Sequence, residues 1–290
     1  MGTTAVNQQL KVHIHDSVAA AIAEDVGAGD LTASLVAPGA DTRATVITRE
    51  TMTMAGRPWF DEVMHQVDST IRVDWDFDDA DEVAADTRLC GITGAARSIL
   101  TAERTALNFL QMLSAVATRT RQYVAAVEGT GCRILDTRKT IPGLRLAQKY
   151  AVLCGGGVNH RIGLFDAILI KENHIMSAGS IAAAVASAHA LHPGIPVEVE
   201  VESLQELRAA LAAGADRLML DNFDLPVLSE AVAINQDTNQ SPAELEASGG
   251  ITLDTIRPIA ATGVDYISVG ALTKHIQAID LSMRFSTSGE

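Results

Sequence analysis

The pattern of apolar and polar positions changes character near residue 130. Beyond it, short β-branched or aliphatic runs alternate with alanine- and leucine-rich segments of helical spacing, the βα pattern of a parallel sheet or barrel. The runs at 132–135, 167–170, 197–201, 217–220, 245–247 and 266–269 are predicted strands, with a further candidate at Val152 and Leu153. Helices are predicted over 181–191, 203–213, 225–234 and 253–262, each with a turn or capping signal near its ends. About seven βα units result, and the expected fold class is an α/β barrel.

The first part of the chain follows another pattern. It predicts a helix over 17–24, a turn at 27–30 and β-rich runs at 44–48 and 71–75, the elements of a separate α+β domain. His13 and His15 alternate on what reads as an edge strand, as surface residues rather than ligands. The stretch 95–128 is almost unbroken helix-former sequence, with Leu107, Leu110, Leu113 and Val116 on its apolar side, and is expected to link the two parts. The expected organisation is therefore an N-terminal domain over 1–115 with this linking helix, a barrel domain over 116–274, and an amphipathic tail, 275–290, packing back on the first domain.

Composition narrows the class of function. The 290 residues can bury a large core without disulfides or structural metals. Cys90, Cys132 and Cys154 are odd in number and widely spaced, as expected of core thiols in a reducing compartment. With no uninterrupted apolar stretch of about 18 residues and no signal-like start, a cytoplasmic protein that binds no membrane is expected. A formal charge of −14 argues against nucleic-acid binding. Against that background, the segment 133–171 carries seven basic residues (Arg133, Arg138, Lys139, Arg145, Lys149, Arg161, Lys171) and two acidic ones (Asp136, Asp166), which suggests a site for a small polyanion.

In a parallel barrel the site forms at the carboxyl ends of the strands. There the sequence sets Asp136, Thr137, Arg138 and Lys139 after the first run, and Lys171, Glu172, Asn173 and His174 after the next. Glu198, Glu200 and Glu202 alternate with valine, so all three are expected on one side of their strand, where carboxylates need cationic or metal partners. Asp221 and Asn222 end another strand, and Ser248, Gly249, Gly250 and Gly270 follow the last two. Gly249 and Gly250 read as opening the next helix, with main-chain N–H groups turned to a phosphate. Gly155, Gly156 and Gly157 read as a flexible connection. A strand-end lysine is more often a solvated charge, and a Gly-Gly pair is often only a turn. It is their conjunction on one face that suits a compact anion held by Arg and Lys beside a substrate carrying phosphates and a metal.

Eight ordered blocks resemble the signature segments of the quinolinate phosphoribosyltransferases. They are GDLT (29–32), AERTALNFLQ (102–111), DTRKTIPGLR (136–145), GGGVNHRIGLFDAILIKENH (155–174), EVEVES (198–203), LDNF (220–223), EASGGI (246–251) and DYISVGALTKH (265–275). Met112, Ala115 and Glu172 are mild departures that touch none of the charged positions. The resemblance implies an incomplete α/β barrel with an N-terminal α+β sandwich domain, in a homodimer that could assemble further. The implied reaction joins quinolinate to phosphoribosyl pyrophosphate with decarboxylation, giving nicotinate mononucleotide for NAD biosynthesis. Arg138, His160, Arg161 and Lys171, with Arg104 entering the neighbouring subunit's site in trans, would bind the quinolinate carboxylates. Lys139, Glu200 and Asp221 would act at the ribose and at the pyrophosphate with its Mg2+, Glu200 and Asp221 being the candidate metal ligands. Ser248, Gly249, Gly250 and Gly270 would take the 5′-phosphate.

Three rival readings share these residues. A relative with altered substrate would keep the phosphate loop but not need all five quinolinate-side cations. A Schiff-base aldolase would use Lys139 or Lys171. A sensor on the same scaffold would bind both ligands without turnover.

Overall fold

A computed structural model describes residues 7–237 and 242–285; the ends of the expected N-terminal domain (1–6) and of the expected tail (286–290) lie outside them. In chain order the elements are α1 (Gln8–Val26), β1 (Asp41–Thr48), β2 (Met52–Thr53), α2 (Arg57–Val67), β3 (Arg72–Trp75), β4 (Glu82–Val83), β5 (Thr87–Ala95), α3 (Ala96–Ala126), β6 (Arg133–Leu135), α4 (Arg145–Cys154), β7 (Ile168–Ile170), α5 (Glu172–Ala178), α6 (Ile181–Leu191), β8 (Val197–Val201), α7 (Leu204–Ala212), β9 (Arg217–Asp221), α8 (Leu225–Gln236), β10 (Glu244–Ser248), α9 (Ile256–Ala260), β11 (Tyr266–Ser268), α10 (Ala271–Lys274) and β12 (Leu281–Phe285). The described residues form two compact units, one drawn from 7–121, 140–156 and 271–285, the other from 122–139, 157–237 and 242–270.

The first unit carries an antiparallel sheet in the order β12-β1-β5-β3 and a small β2-β4 ribbon. The late strand β12 enters as an edge, pairing Ala44 with Phe285 and Thr48 with Leu281. Trp59, Phe60, Val63 and Met64 on α2 are buried, as are Leu107, Leu110, Leu113 and Val116 along α3. His13 and His15 lie on a helix, not a strand. Asn7 caps α1 by accepting the Leu10 N–H at 2.9 Å, and Ile14 and Val18, four apart, are its buried positions. Val152 and Leu153 are likewise helical, within α4, where buried Ala147, Ala151 and Val152 recur at helical spacing. Gly155 ends that helix in close packing and is no loose connection: a Cβ there would lie 2.5 Å from the Ala117 carbonyl oxygen and from Thr120 Cβ.

The second unit is an open α/β barrel wall of six parallel strands in the order β6-β11-β10-β9-β8-β7. Consecutive strands pair except β6 and β7, which are the two edges. The place of a seventh strand is taken by a single parallel bridge, Leu135 to Val158, six residues beyond the segment from which it was expected. Alternation decides what each face carries. On β8, Val197, Val199 and Val201 are wholly buried on one side, and Glu198 and Glu200 occupy the other. Ser180, Ser203 and Asp224 cap α6, α7 and α8 through side-chain oxygens that accept the N–H of Ala183, Glu206 and Val227. No single helix among the described residues is long and apolar enough to cross a membrane.

Candidate active site

The amino end of the sheet is closed by an Arg-Tyr-Glu cluster. Arg217 lies 4.5 Å from the Tyr266 ring centre and its Nε donates to Glu244 at 3.0 Å, while the Tyr266 hydroxyl donates to Glu244 at 3.1 Å. Arg133 also lies over that ring, 5.6 Å from its centre. The carboxyl end is open, as a cavity of about 790 Å³ lined by the cationic Arg138, Lys139, Arg161 and Lys171 and the acidic Asp136, Glu200, Asp221 and Glu246, with His160 and Ser248.

Of the seven basic residues of 133–171, Arg138, Lys139, Arg161 and Lys171 therefore reach the cavity. Arg133 belongs to the closed end, and Arg145 and Lys149 lie on α4 in the first unit. Arg161 is held below its ordinary pKa, first by burial and then by the neighbouring Arg138 charge. Two guanidinium groups brought together in this way suit a ligand with closely spaced negative charges.

Lys171 caps α5, and its main-chain N–H donates to His174 Nδ1 at 3.0 Å. Its ammonium forms an ion pair with Glu200, so one lysine touches both the cationic and the acidic halves of the cavity. Glu202, expected on the same side, lies past the strand end, exposed, with its N–H donating to Glu206 at 2.8 Å. Glu200 pairs with Met219 across the β8–β9 ladder, which sets Asp221, two residues on, toward the same side. These two hard oxygen ligands fit a divalent cation of the Mg2+ type.

The turn 249–255 differs from expectation. The helix that follows, α9, begins only at Ile256, so Gly249 and Gly250 do not open it and their N–H groups belong to a loop. Both have positive φ, +108° and +56°. Gly249 is also sterically required, since a Cβ would sit 2.1 Å from Asn222 Oδ1. Asn222 is left-handed itself (φ 57°), and its Nδ2 donates to Asp221 Oδ2 at 2.7 Å. Gly270 leaves room for Lys139, whose Cδ would be 3.0 Å from an added Cβ. Arg104 is exposed on α3, in the first unit.

Two of the lining residues, His160 and Glu246, form a buried group with Glu198; His160 was expected among the quinolinate ligands, and Glu246 had no expected role. His160 is 9 % exposed; its Nε2 is 2.8 Å from Glu198 Oε2 and 3.3 Å from Glu246 Oε2, and its Nδ1 accepts the Arg161 N–H at 2.8 Å. Burial opposes a charged ring, while the two carboxylates that face Nε2 favour a proton there. Geometry limits where that proton can go, because a proton on Nδ1 would face the Arg161 N–H. It is carried instead between Nε2 and the carboxylates, in keeping with the Glu198 carboxyl, which burial pushes up. The same constraint argues against a metal here, although the three ligand atoms lie within 4.8 Å of one another. A neutral imidazole bound to metal through Nε2 needs its proton on Nδ1. The signal for Glu246 was present in the sequence: it lies two residues before Ser248 on one strand, hence on the same face.

Comparison with known proteins agrees with this architecture. The chain matches the model of the quinolinate phosphoribosyl transferase C-terminal domain over residues 116–284 and that of the N-terminal domain over 30–114. It is 41 % identical over 276 residues, covering 92 % of this chain and 95 % of the relative, to the nicotinate-nucleotide pyrophosphorylase (carboxylating) of Mycobacterium leprae. A probable nicotinate-nucleotide pyrophosphorylase (carboxylating) of Bacillus subtilis is 38 % identical, covering 92 % and 91 % of the two chains. The solved structure of the nicotinate-nucleotide pyrophosphorylase from Francisella tularensis superposes with a TM-score of 0.93 at 51 % identity, covering 98 % of this chain and all of that one.

Proposed function

The chain belongs to the quinolinate phosphoribosyl transferase family, and on that premise we propose a division of labour in its cavity between a cationic half that holds quinolinate and an acidic half that holds phosphoribosyl pyrophosphate. The enzyme transfers the phosphoribosyl group to quinolinate and releases pyrophosphate and carbon dioxide, giving nicotinate mononucleotide for NAD biosynthesis. One observation supports the division: the cations Arg138, Arg161 and Lys171 line the same cavity as the carboxylates Glu200 and Asp221, and the two sets meet in the Lys171–Glu200 ion pair.

In this reading Arg138, Arg161 and Lys171 bind the two substrate carboxylates and aim the ring nitrogen at the anomeric carbon. His160 belongs to the same side. Orientation of this kind is worth about 7 kcal/mol or more when reacting atoms are held in line. As the C–O bond to pyrophosphate breaks and the N–C bond forms, positive charge develops on the ribose, where Glu200 and Asp221 stabilise it or hold its hydroxyls. Lys139, against Gly270, offsets charge on the departing pyrophosphate. Glu200 and Asp221 would hold Mg2+, which would supply further charge neutralisation for the phosphates. Ser248 and the loop N–H groups of Gly249, Gly250 and Gly270 take the 5′-phosphate. Once ribosylated, the ring nitrogen is positive, and its charge stabilises the electron pair left on the adjacent carbon when the carboxylate departs as carbon dioxide. A proton then closes that carbon. The protein has only to loosen its hold on this carboxylate.

The reading includes a homodimer, open to further assembly, in which Arg104 of each subunit completes the cationic half of the other's site. Its exposure on α3 supports this. It also includes a cytoplasmic location.

The test is product formation with quinolinate, phosphoribosyl pyrophosphate and Mg2+, run beside nicotinate and repeated with EDTA. Nicotinate mononucleotide from quinolinate only, lost on chelation, is expected. Equal turnover of nicotinate would sink the assignment of the cationic half, and full activity in EDTA would sink the metal.

A further inference from the structure

His160 is fixed at every polar atom of its ring and at its main-chain N–H. The latter donates to the wholly buried Asp136 at 2.9 Å, and the ring spans from the Arg161 N–H to the Glu198 and Glu246 carboxylates. A substrate carboxylate approaching Nε2 would have to displace two protein carboxylates, and one approaching Nδ1 would meet a lone pair already engaged by an N–H. The ring therefore offers no donor to the cavity. Arg161 is different: its side chain lines the cavity, and its guanidinium has a contact of 3.5 Å with the Ala167 carbonyl oxygen. That contact is too long to fix a guanidinium by itself. The Arg161 main chain is held at its own N–H by the His160 ring, and just beyond it by Asp166, which accepts the N–H groups of Ile162 and Gly163.

We propose that His160 is a positioning residue for quinolinate and not a ligand to it: the ring is a strut between the buried Glu198–Glu246 pair and the Arg161 main chain, and it sets where the Arg161 guanidinium meets the substrate carboxylate. The proposal rests on the quinolinate reading above. It also gives a task to Glu246, a wholly buried carboxylate that Arg217 approaches only to 3.9 Å.

The two nitrogens of His160 can be tested separately. In His160→Asn the side-chain oxygen sits where Nδ1 was and still accepts the Arg161 N–H, but nothing reaches Glu198 or Glu246. In His160→Gln the amide reaches those carboxylates, but the acceptor for Arg161 is gone. Quinolinate and phosphoribosyl pyrophosphate affinities would be measured by calorimetry for both variants and for His160→Ala, beside kcat, KM and melting temperature. His160→Ala and His160→Gln should each raise the quinolinate KM about tenfold or more, the usual range for losing a buried hydrogen bond, with phosphoribosyl pyrophosphate affinity within about twofold of the parent. His160→Asn should bring the quinolinate KM back to within about threefold of the parent while melting lower, because it leaves the carboxylate pair without its donor. A quinolinate KM restored by Gln and not by Asn would overturn the proposal in favour of direct contact through Nε2. Should His160→Asn not fold, Glu246→Gln decides: a raised quinolinate KM supports the strut, and an unchanged one removes it. Parent protein that binds no quinolinate would count against the function itself, not against the strut.

Discussion

Asn222 and Gly249 interlock at the acidic edge of the site. The Asn222 side-chain oxygen fills the space where any other residue at 249 would place its Cβ, and the Asn222 N–H donates to the Ser248 carbonyl at 2.9 Å. Because Asn222 Nδ2 also holds Asp221, the glycine and the acid are coupled through one amide.

Gly249→Ala should therefore act on phosphoribosyl pyrophosphate. A Cβ at 2.1 Å cannot be absorbed, and the φ of +108° disfavours alanine as well. The KM for that substrate is expected to rise about tenfold or more, with the quinolinate KM within about threefold. Gly270→Ala is the milder contrast, because its Cβ meets the flexible Lys139 side chain at 3.0 Å and that chain can swing aside. A severalfold drop in kcat with little change in melting temperature is expected; steady-state kinetics and thermal melts on both variants check the pair.

Lys171 and Glu200 should be energetically coupled in catalysis. Lys171→Ala and Glu200→Ala would each lower kcat/KM, and the double variant should fall short of the sum of the two losses by about 1 kcal/mol or more. Since the lysine side chain is 46 % exposed, the coupling should weaken as salt is raised. A double-mutant cycle at two ionic strengths reads both; strict additivity would mean that the pair has no part in turnover.

In the first unit, the Tyr150 hydroxyl donates to Asp79 Oδ2 at 2.6 Å, and burial pushes the Asp79 carboxyl above its usual range. Tyr150→Phe leaves that group without this donor and should cost about 1–3 kcal/mol in urea melts. Activity in the folded variant should be close to that of the parent.

Cys90 and Cys132 are buried, and burial pushes both thiols up, Cys132 to about 12. At pH 8 neither should react with iodoacetamide until the protein is unfolded. The sign for stability follows: with the folded pKa raised, these thiols stabilise the fold fully below the unfolded value near 9, and the contribution is lost as pH rises from there toward the folded value. Labelling followed by mass spectrometry, and urea melts from pH 8 to 10, test both statements.

The sequence alone determined the barrel strands and the residues at their ends. Apolar alternation fixes which side of β8 or β10 a residue takes, and a parallel sheet puts every strand's carboxyl end on one face, so Arg138, Lys171, Glu200, Asp221 and Ser248 could be expected together without coordinates. The tertiary structure decided matters that local pattern does not encode. Val152 and Leu153 are β-branched and aliphatic enough for a strand, but the burial of α4 made them helical. His13 and His15 alternate in sequence, but the stripe of Ile14 and Val18 overrode that alternation. The helix after Gly250 begins late, after a turn in which Thr255 Oγ1 accepts the Thr252 N–H at 3.0 Å. His160, finally, looked like one cation among five. Arg161 is its neighbour in sequence, but Glu198 and Glu246 lie 38 and 86 positions away, and only the parallel pairing of β8, β9 and β10 brings those two carboxylates to its ring.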